Sequence, residues 1–410
     1  MQTTLSDHAR TQPRAEEAER ILRSCVHCGF CNATCPTYQL LGDELDGPRG
    51  RIYLIKQVLE GHDVTEKTQL HLDRCLSCRN CETTCPSGVD YHNLLDIGRA
   101  AVDAVVPRPL GQRWLREGLR RVVPNAGLFK VLTGLGNTFR PLLPTPLKSK
   151  LPATIQAPGL RPAPHHARRM LLLEGCVQPG LSPNTNAATA RVLDRLGISA
   201  AAVDKAGCCG AVDYHLNAQD AGLDRARRNI DAWWPALEDG AETLIQTASG
   251  CGAFVKDYGQ LLRDDPLYAD KAALISARTR DLVEVLRDEP LESLGVRTDT
   301  RLAFHCPCTL QHAQKLGGEV ERVLTRLGFD LTSVPDGHLC CGSAGTYSIT
   351  QPVLARQLRD NRMKALESGR PQVIATANIG CQTHLASAHR TPVRHWIELI
   401  DEALGTPESR

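Results

Sequence analysis

Two cysteine runs near the N-terminus restrict this chain more than any other feature. The first is Cys25, Cys28, Cys31 and Cys35, closed by Pro36; the second is Cys75, Cys78, Cys81 and Cys85, closed by Pro86. Both read C-x2-C-x2-C-x3-C-P. Three thiols two residues apart can wrap one corner of a metal centre. The fourth, displaced by one further residue, points away from that corner.

The spacing is that of two-cluster ferredoxins, where three cysteines of a run ligate one 4Fe–4S cluster and the fourth ligates the other. It predicts the sets Cys25, Cys28, Cys31 with Cys85, and Cys75, Cys78, Cys81 with Cys35. Zinc would more often use two C-x2-C pairs than four cysteines with a trailing proline. Disulfides are disfavoured, because thiols packed this tightly along the chain cannot all pair without strain.

The 410 residues suffice for two or three domains with their own cores. A net charge of +2 creates no field that calls for nucleic acid. Seventeen cysteines in a chain of this length, with this spacing, point to a reducing compartment and bound metal. The first twenty residues hold no apolar segment of the secretory kind. No run approaches the roughly 18 apolar residues of a membrane span. A cytoplasmic location is expected.

Helical patterns surround the cysteine runs. Residues 15–24 lead into Cys25, and residues 48–61 carry Pro48 at a first turn, Gly61 at a C-cap and Ile52, Ile55, Val58 and Leu59 on one face. A third pattern starts at Tyr91. Residues 1–105 are expected to form a helical ferredoxin-like domain. Residues 106–168 then read as a Pro-rich basic linker: positions 101–169 hold ten prolines, twelve Lys or Arg and two acids, Asp103 and Glu117. Its stretch RWLREGLRRVV places Trp114, Leu115, Leu119 and Val122 on one side. Either a connector or a helix lying on anionic lipid would use that pattern, and Pro124 shortens it.

From residue 169 the chain is duplicated, with repeats expected over 169–290 and 291–410. The first reads strand (170–173), Cys176, helix (184–197), strand, Cys208-Cys209-Gly210, helix (217–237), strand (243–247), Cys251. The second reads strand (301–305), Cys308, helix, strand, Cys340-Cys341-Gly342, helix (352–367), strand (372–375), Cys381. Thirty-one residues lie between Cys176 and Cys208, and again between Cys308 and Cys340. Equal order and spacing mark an internal repeat, and alternating strands and helices imply mainly parallel sheets. The fold class is α plus α/β.

Each repeat thus offers four cysteines at the carboxyl ends of strands, where ligands bind in α/β sheets. They are Cys176, Cys208, Cys209 and Cys251, then Cys308, Cys340, Cys341 and Cys381. Four soft ligands converging on loops could hold one or two further clusters; a redox-active thiol pair and structural cysteines are the alternatives. Cys306 has no counterpart in the first repeat and is an extra ligand or a bystander. Of His305, His312, His338 and His384 none is taken as a ligand, His384 being the nearest to one.

The doublets in GCCGAVDYH and LCCGSAGTY resemble the cysteine-rich CCG domain of heterodisulfide reductase and of related succinate-, lactate- and glycerol-3-phosphate-oxidising complexes. More narrowly, CVHCGFCNATCPTYQLLGDELDGPRGRIYLIKQVLEG, CRNCETTCPSG, LSPNTNAATARVLDRLGI, TASGCGAFVKDYG, FHCPCTLQHAQKLGGEVERVL and TANIGCQTHLASA resemble the family of bacterial glycolate oxidase iron–sulfur subunits. That resemblance spans residues 25 to about 388. It implies separate FAD-binding subunits that oxidise glycolate to glyoxylate and an iron–sulfur subunit that passes the electrons on. The wider group closes each CCG block with C-x2-C. Here Phe254 and His384 replace the second cysteine, which favours plain 4Fe–4S or degenerate sites over disulfide-reducing ones.

No G-x-G-x-x-G fingerprint follows a strand and no flavin site is visible, so the two-electron oxidation of an organic substrate belongs elsewhere. The leading expectation is an electron-transfer subunit that takes electrons from FAD subunits to quinone or another acceptor. A contact with the cytoplasmic face of the inner membrane stays open. The alternatives are a thiol–disulfide reductase of heterodisulfide type, or the iron–sulfur subunit of a lactate or glycerol-3-phosphate dehydrogenase.

Overall fold

Short helices joined at cysteine turns make up the N-terminal part of the computed structural model, which describes residues 1–143, 151 and 155–404. Residues 144–150 and 152–154 of the expected linker, and 405–410 of the expected second repeat, lie outside the described residues. The chain divides into two compact units: residues 1–117 with 338–358, and residues 118–337 with 359–410.

In the first unit the helices Ala15–Ser24, Pro48–Leu59 and Tyr91–Val105 share one apolar core. Each buries the face its sequence pattern marks out: Ile21 and Leu22, Ile52 and Ile55, Leu94 and Leu95. Pro48 opens its helix at the first turn, where a missing N–H costs nothing. The next helix turn cannot carry side chains at every position. A Cβ on Gly50 would fall well inside van der Waals contact with the Glu44 carbonyl oxygen, and one on Gly98 would meet Ile55. Glu66–Asp73 forms a further helix that the sequence pattern does not announce.

The second unit holds two parallel four-stranded sheets. The first comprises β1 (Arg168–Leu172), β2 (Ile198–Ala202), β3 (Leu244–Gln246) and β4 (Thr279–Asp281), in the order β2-β1-β3-β4. The second comprises β5 (Arg301–His305), β6 (Asp330–Leu331), β7 (Val373–Thr376) and β8 (Val393–His395), in the matching order β6-β5-β7-β8. Strands β4 and β8 are too short and polar to stand out in the sequence. They are held by parallel pairing, as in Ile245 with Arg280 and Ile374 with Val393.

The repeats pack reciprocally. The helix after β1, Asn184–Arg195, lies on the last helix of the second repeat, Trp396–Ala403. The helix before β6, Glu319–Arg326, lies on the last helix of the first, Leu282–Leu286. One buried core runs through both, including Leu193, Val283, Leu324 and Trp396. Polar contacts add register: Thr185 and Ser182 donate to Glu398 at 2.5 and 3.0 Å, and Arg191 pairs with Asp401 at 2.6 Å. The basic segment is helical beyond its expected extent. Leu110–Val122 is followed by Ala126–Thr138, which Asn125 caps by accepting from the Leu128 N–H. Pro124 ends one helix, and that cap starts the other. Among the described residues no helix is long and apolar enough to cross a membrane.

Gly50→Ala is expected to destabilise the first unit by about 1–3 kcal/mol through overpacking, whereas Gly118→Ala, with open space at its Cβ position, is expected to be neutral or slightly stabilising. Thermal unfolding of the two variants side by side tests this, and equal midpoints would refute it.

Asp281 gives a pH prediction. It is fully buried as the N-cap of Leu282–Leu286, accepting from the Val283 N–H, with Gln314, Lys256 and Glu284 around it. Burial raises its pKa to about 7, against the lowering influence of the Val283 N–H and Lys256. A carboxyl that holds its proton more tightly when folded stabilises fully below its unfolded pKa. That contribution is lost as pH rises through about 7. Asp281→Asn, which keeps the cap acceptor, should flatten the fall in unfolding free energy between about pH 4 and pH 7. An unchanged slope in denaturant titrations would exclude Asp281 as its source.

Candidate metal centres

The helix Ala15–Ser24 ends at Cys25, its extended C-cap residue. The chain then bends through two left-handed residues, His27 (φ 60°) and Gly29 (φ 87°). In the second run the equivalent positions are Ser77 (φ 51°) and Arg79 (φ 58°), also left-handed. Three of these four are not glycine, so the bend carries backbone strain that the turn must hold in place. It curls each run back on itself after its first cysteine. The short helices Phe30–Ala33 and Asn80–Thr84 follow, and Thr34 and Thr84 hydroxyls meet at 3.1 Å.

That meeting brings the two runs within reach of each other. One pocket is lined by Cys25, Cys28, Cys31 and Cys85, together with Cys81, Ile52 and Tyr91. The Cys31 thiol is pushed up to about 11 by burial and by the charges of Cys25, Cys85 and Cys28. Cys81 is raised by burial and by Cys78, Glu82, Cys75 and Cys35. Cys85 therefore lies with the first run and Cys35 with the second. Four thiolates this close oppose one another's ionisation unless positive charge sits among them. That donor set fits an iron–sulfur cubane.

The two groups differ in surroundings. Cys28 is exposed, whereas Cys35, Cys78 and Cys81 are buried. The second group sits in a polar lattice. The Tyr91 hydroxyl donates to Cys75 Sγ at 3.7 Å, and the Ser77 N–H reaches the same sulfur at 3.4 Å. Arg51, 1% exposed, donates to the His71 carbonyl at 2.7 Å and pairs with the wholly buried Asp46 at 3.5 Å. Asp46 also accepts from Arg74 at 2.8 Å and meets His71 Nδ1 at 3.0 Å.

In the first repeat Cys176, Cys208, Cys209 and Cys251 converge. Thiol contacts from Cys176 and Cys209, with the Gly210 N–H and Arg225, draw Cys208 well down against its burial. Contact with the Cys208 sulfur pushes Cys176 up, and Cys208 with Cys251 pushes Cys209 up. The doublet's carbonyls are held as well. Arg228 and Asn229 donate to the Cys208 carbonyl at 3.1 and 3.0 Å, and the Tyr258 hydroxyl donates to that of Cys209 at 2.5 Å. Gly210, left-handed at φ 101°, lets the backbone pass against Gly222. Cys251 lies inside the helix Ser249–Lys256 rather than on the expected loop, because the helix starts directly after β3. Phe254 fills the place of a fifth cysteine, packing its ring on Tyr214, His215 and Tyr258.

The second repeat keeps the order with different neighbours. Cys308 precedes the π-helical turn Thr309–Ala313, and Cys381 lies in the helix Ile379–Ala386, with Asn378 donating to its sulfur at 3.7 Å. Cys340 and Cys341 belong to the first unit, and Cys308 and Cys381 to the second. The Gly342 N–H donates to Cys340 Sγ at 3.4 Å, and Gly342 is left-handed. Cys306 packs in the apolar core with Leu310 and Val320. His305 is the residue that sequence reasoning undervalued. It is fully enclosed, its Nδ1 accepts from Arg362 Nε at 3.1 Å, and a ring nitrogen lies within 4.8 Å of Cys381 Sγ. Its position at the last residue of β5, beside the carboxyl edge, was the available signal.

Residues 170–256 and 302–386 match the family model of the cysteine-rich domain, and residues 21–89 that of the 4Fe-4S dicluster domain. The chain is 71% identical to the glycolate oxidase iron-sulfur subunit of Escherichia coli over 98% of its length and 99% of that protein's. It is 30% identical to the probable glycolate oxidase iron-sulfur subunit of Bacillus subtilis, covering 90% and 88% of the two chains. A more distant relative, a fumarate reductase (CoM/CoB) subunit of Methanothermobacter marburgensis, is 23% identical over 96% of this chain and 75% of its own. A dicluster domain followed by two cysteine-rich domains, with this identity over nearly the whole length, places the chain in the family of glycolate oxidase iron–sulfur subunits.

Proposed function

We propose that this chain is the electron-transfer subunit of a flavin-dependent glycolate oxidase, taking electrons from FAD on partner subunits and delivering them to an acceptor, with quinone the best fit. The observation that carries this reading is the interlocking of the two cysteine runs, Cys85 lying with the first and Cys35 with the second. Cys25, Cys28, Cys31 and Cys85 would hold one 4Fe–4S cluster, and Cys35, Cys75, Cys78 and Cys81 the other. Cys176, Cys208, Cys209 and Cys251 would hold a third, and Cys308, Cys340, Cys341 and Cys381 a fourth. When bound, such clusters take up and release electrons one at a time. The residues around them set the conditions: Arg51 supplies a buried positive charge, Tyr91 a hydrogen bond to Cys75, and Tyr258 fixes the Cys209 carbonyl. Hydride chemistry stays with the flavin subunits.

A cytoplasmic protein attached to the inner membrane from the cytoplasmic side would suit a quinone acceptor. Leu110 and Trp114, and further along Val131, Leu135 and Phe139, are exposed on the basic segment, as a membrane-surface contact requires.

Three outcomes are expected. The anaerobically prepared protein should hold about sixteen iron atoms, four clusters' worth; about eight, unchanged in Cys209→Ala and Cys341→Ala, would confine clusters to the two ferredoxin-type runs. Cys35→Ser should abolish the signal of the cluster on Cys75, Cys78 and Cys81, whereas loss of the other signal alone would refute the crossed wiring. In complex with its partners, Cys28→Ala should let glycolate bleach the flavin once under anaerobic conditions while steady-state turnover collapses. Turnover at the wild-type rate without that cluster would leave this chain a structural role only.

A further inference from the structure

The doublet of the second repeat, Cys340 and Cys341, lies in the same compact unit as the N-terminal cysteine runs, within the segment His338–Leu358. One side chain ties that segment to the residues beside Cys35 and Cys81. Asn80, 2% exposed, immediately precedes Cys81. Its Nδ2 donates to the Thr34 carbonyl at 2.9 Å and to the His338 carbonyl at 3.1 Å. Thr34 immediately precedes Cys35, and His338 lies two residues before Cys340. A single amide therefore spans the neighbours of Cys81, Cys35 and Cys340.

A second residue marks the same place. Tyr347, on the helical turn Tyr347–Thr350 after the doublet, is 5% exposed. Its hydroxyl lies in the fields of Arg51, Cys75 and Cys340 and has no hydrogen-bond partner among the described residues. Arg51 in turn lies in the fields of Cys75 and Cys35. Among the described residues, the pocket at the first site is lined by residues between Cys25 and Tyr91, Cys81 included.

We propose that the second ferredoxin-type site, Cys35 with Cys75, Cys78 and Cys81, is the direct redox neighbour of the Cys340–Cys341 doublet, with Asn80 bridging the two segments. The inference rests on the ligand sets proposed above. With clusters held by these residues, one electron would pass from one to the other, with no bond formed and no proton moved. Because exchange falls steeply with separation, the first site communicates with the doublet through the second. The electron order is then first site, second site, doublet, or its reverse.

The test is spin relaxation in the dithionite-reduced, anaerobically prepared full chain, with the two N-terminal signals assigned through Cys28→Ser and Cys78→Ser. Cys340→Ala is expected to lose about four iron atoms and to slow relaxation of the second-site signal severalfold, because a nearby paramagnet has gone. The first-site signal should be unaffected. Cys208→Ala should lose similar iron and leave both relaxation times unchanged. Cys340→Ser replaces the alanine variant if the latter also loses N-terminal iron. Iron loss in the Cys340 variant with unchanged second-site relaxation overturns the inference alone, as does a larger effect on the first-site signal or in Cys208→Ala. Unchanged iron in the Cys340 variant removes the doublet as a cluster ligand, and so overturns the proposed ligand set together with the inference.

Discussion

Thiols brought together inside a protein work against one another, and the N-terminal unit is organised around that repulsion. Burial and neighbouring sulfurs both push Cys31 and Cys81 up, so neither group gains by converging on its own account. What convergence does provide is a soft, negative cage for a positively charged core. The strained turns through His27, Ser77 and Arg79 follow from the same requirement. Non-glycine residues in the left-handed region persist only where the surroundings over-determine them, and here the surroundings are two runs that complete each other. Because each run places a thiol beside the other's group, neither group is complete without both runs.

The C-terminal part solves a different problem by duplication. Each repeat leaves the outer face of its first and last helices apolar, and each covers the other's. Asn184–Arg195 with Trp396–Ala403, and Glu319–Arg326 with Leu282–Leu286, are the same contact made twice with the partners exchanged. Such pseudo-twofold packing has the self-complementary form of a symmetric dimer built within one chain. The shared core explains why the buried Glu398 can accept from Ser182 and Thr185 across the repeat boundary: apolar packing on both sides holds its partners in place.

Much of this is legible in the residues. Ligand spacing is a local property, so Cys25 through Cys85 announce their chemistry without any tertiary information. The strand Arg301–His305 and the helix Pro352–Glu367 follow from apolar periodicity. What escapes depends on long-range contacts. Strands β4 and β8 are three residues each and owe their conformation to a neighbour's edge. The helix Ala126–Thr138 is hidden by its proline-rich setting, and Cys251 and Cys381 are expected on loops although helices begin just before them. His305 looks like any histidine beside a turn. Its enclosure, with Arg362 on one nitrogen, comes from a helix some sixty residues further on. Sequence spacing reports the pattern of a repeat and is silent about which neighbours each copy acquires.

That silence matters most at the two doublets. Both are Cys-Cys-Gly with a left-handed glycine that lets helix backbone approach, Gly210 against Gly222 and Gly342 against Ala355. The local device is the same in both copies because only glycine fits it. The supports around it differ. Tyr258, Asn229 and Arg228 hold the first doublet's carbonyls from within its own repeat, and the segment of the second doublet is reached by Asn80 from the ferredoxin-type runs. Two copies of one local geometry therefore have unequal surroundings. In a chain of one-electron carriers inequality of surroundings is what creates direction, since cluster potential responds to hydrogen bonds, net charge and solvent exposure. Identical sites would exchange electrons evenly in both directions. A buried arginine and a tyrosine hydroxyl at one station, and an exposed cysteine at another, are enough to make the stations different.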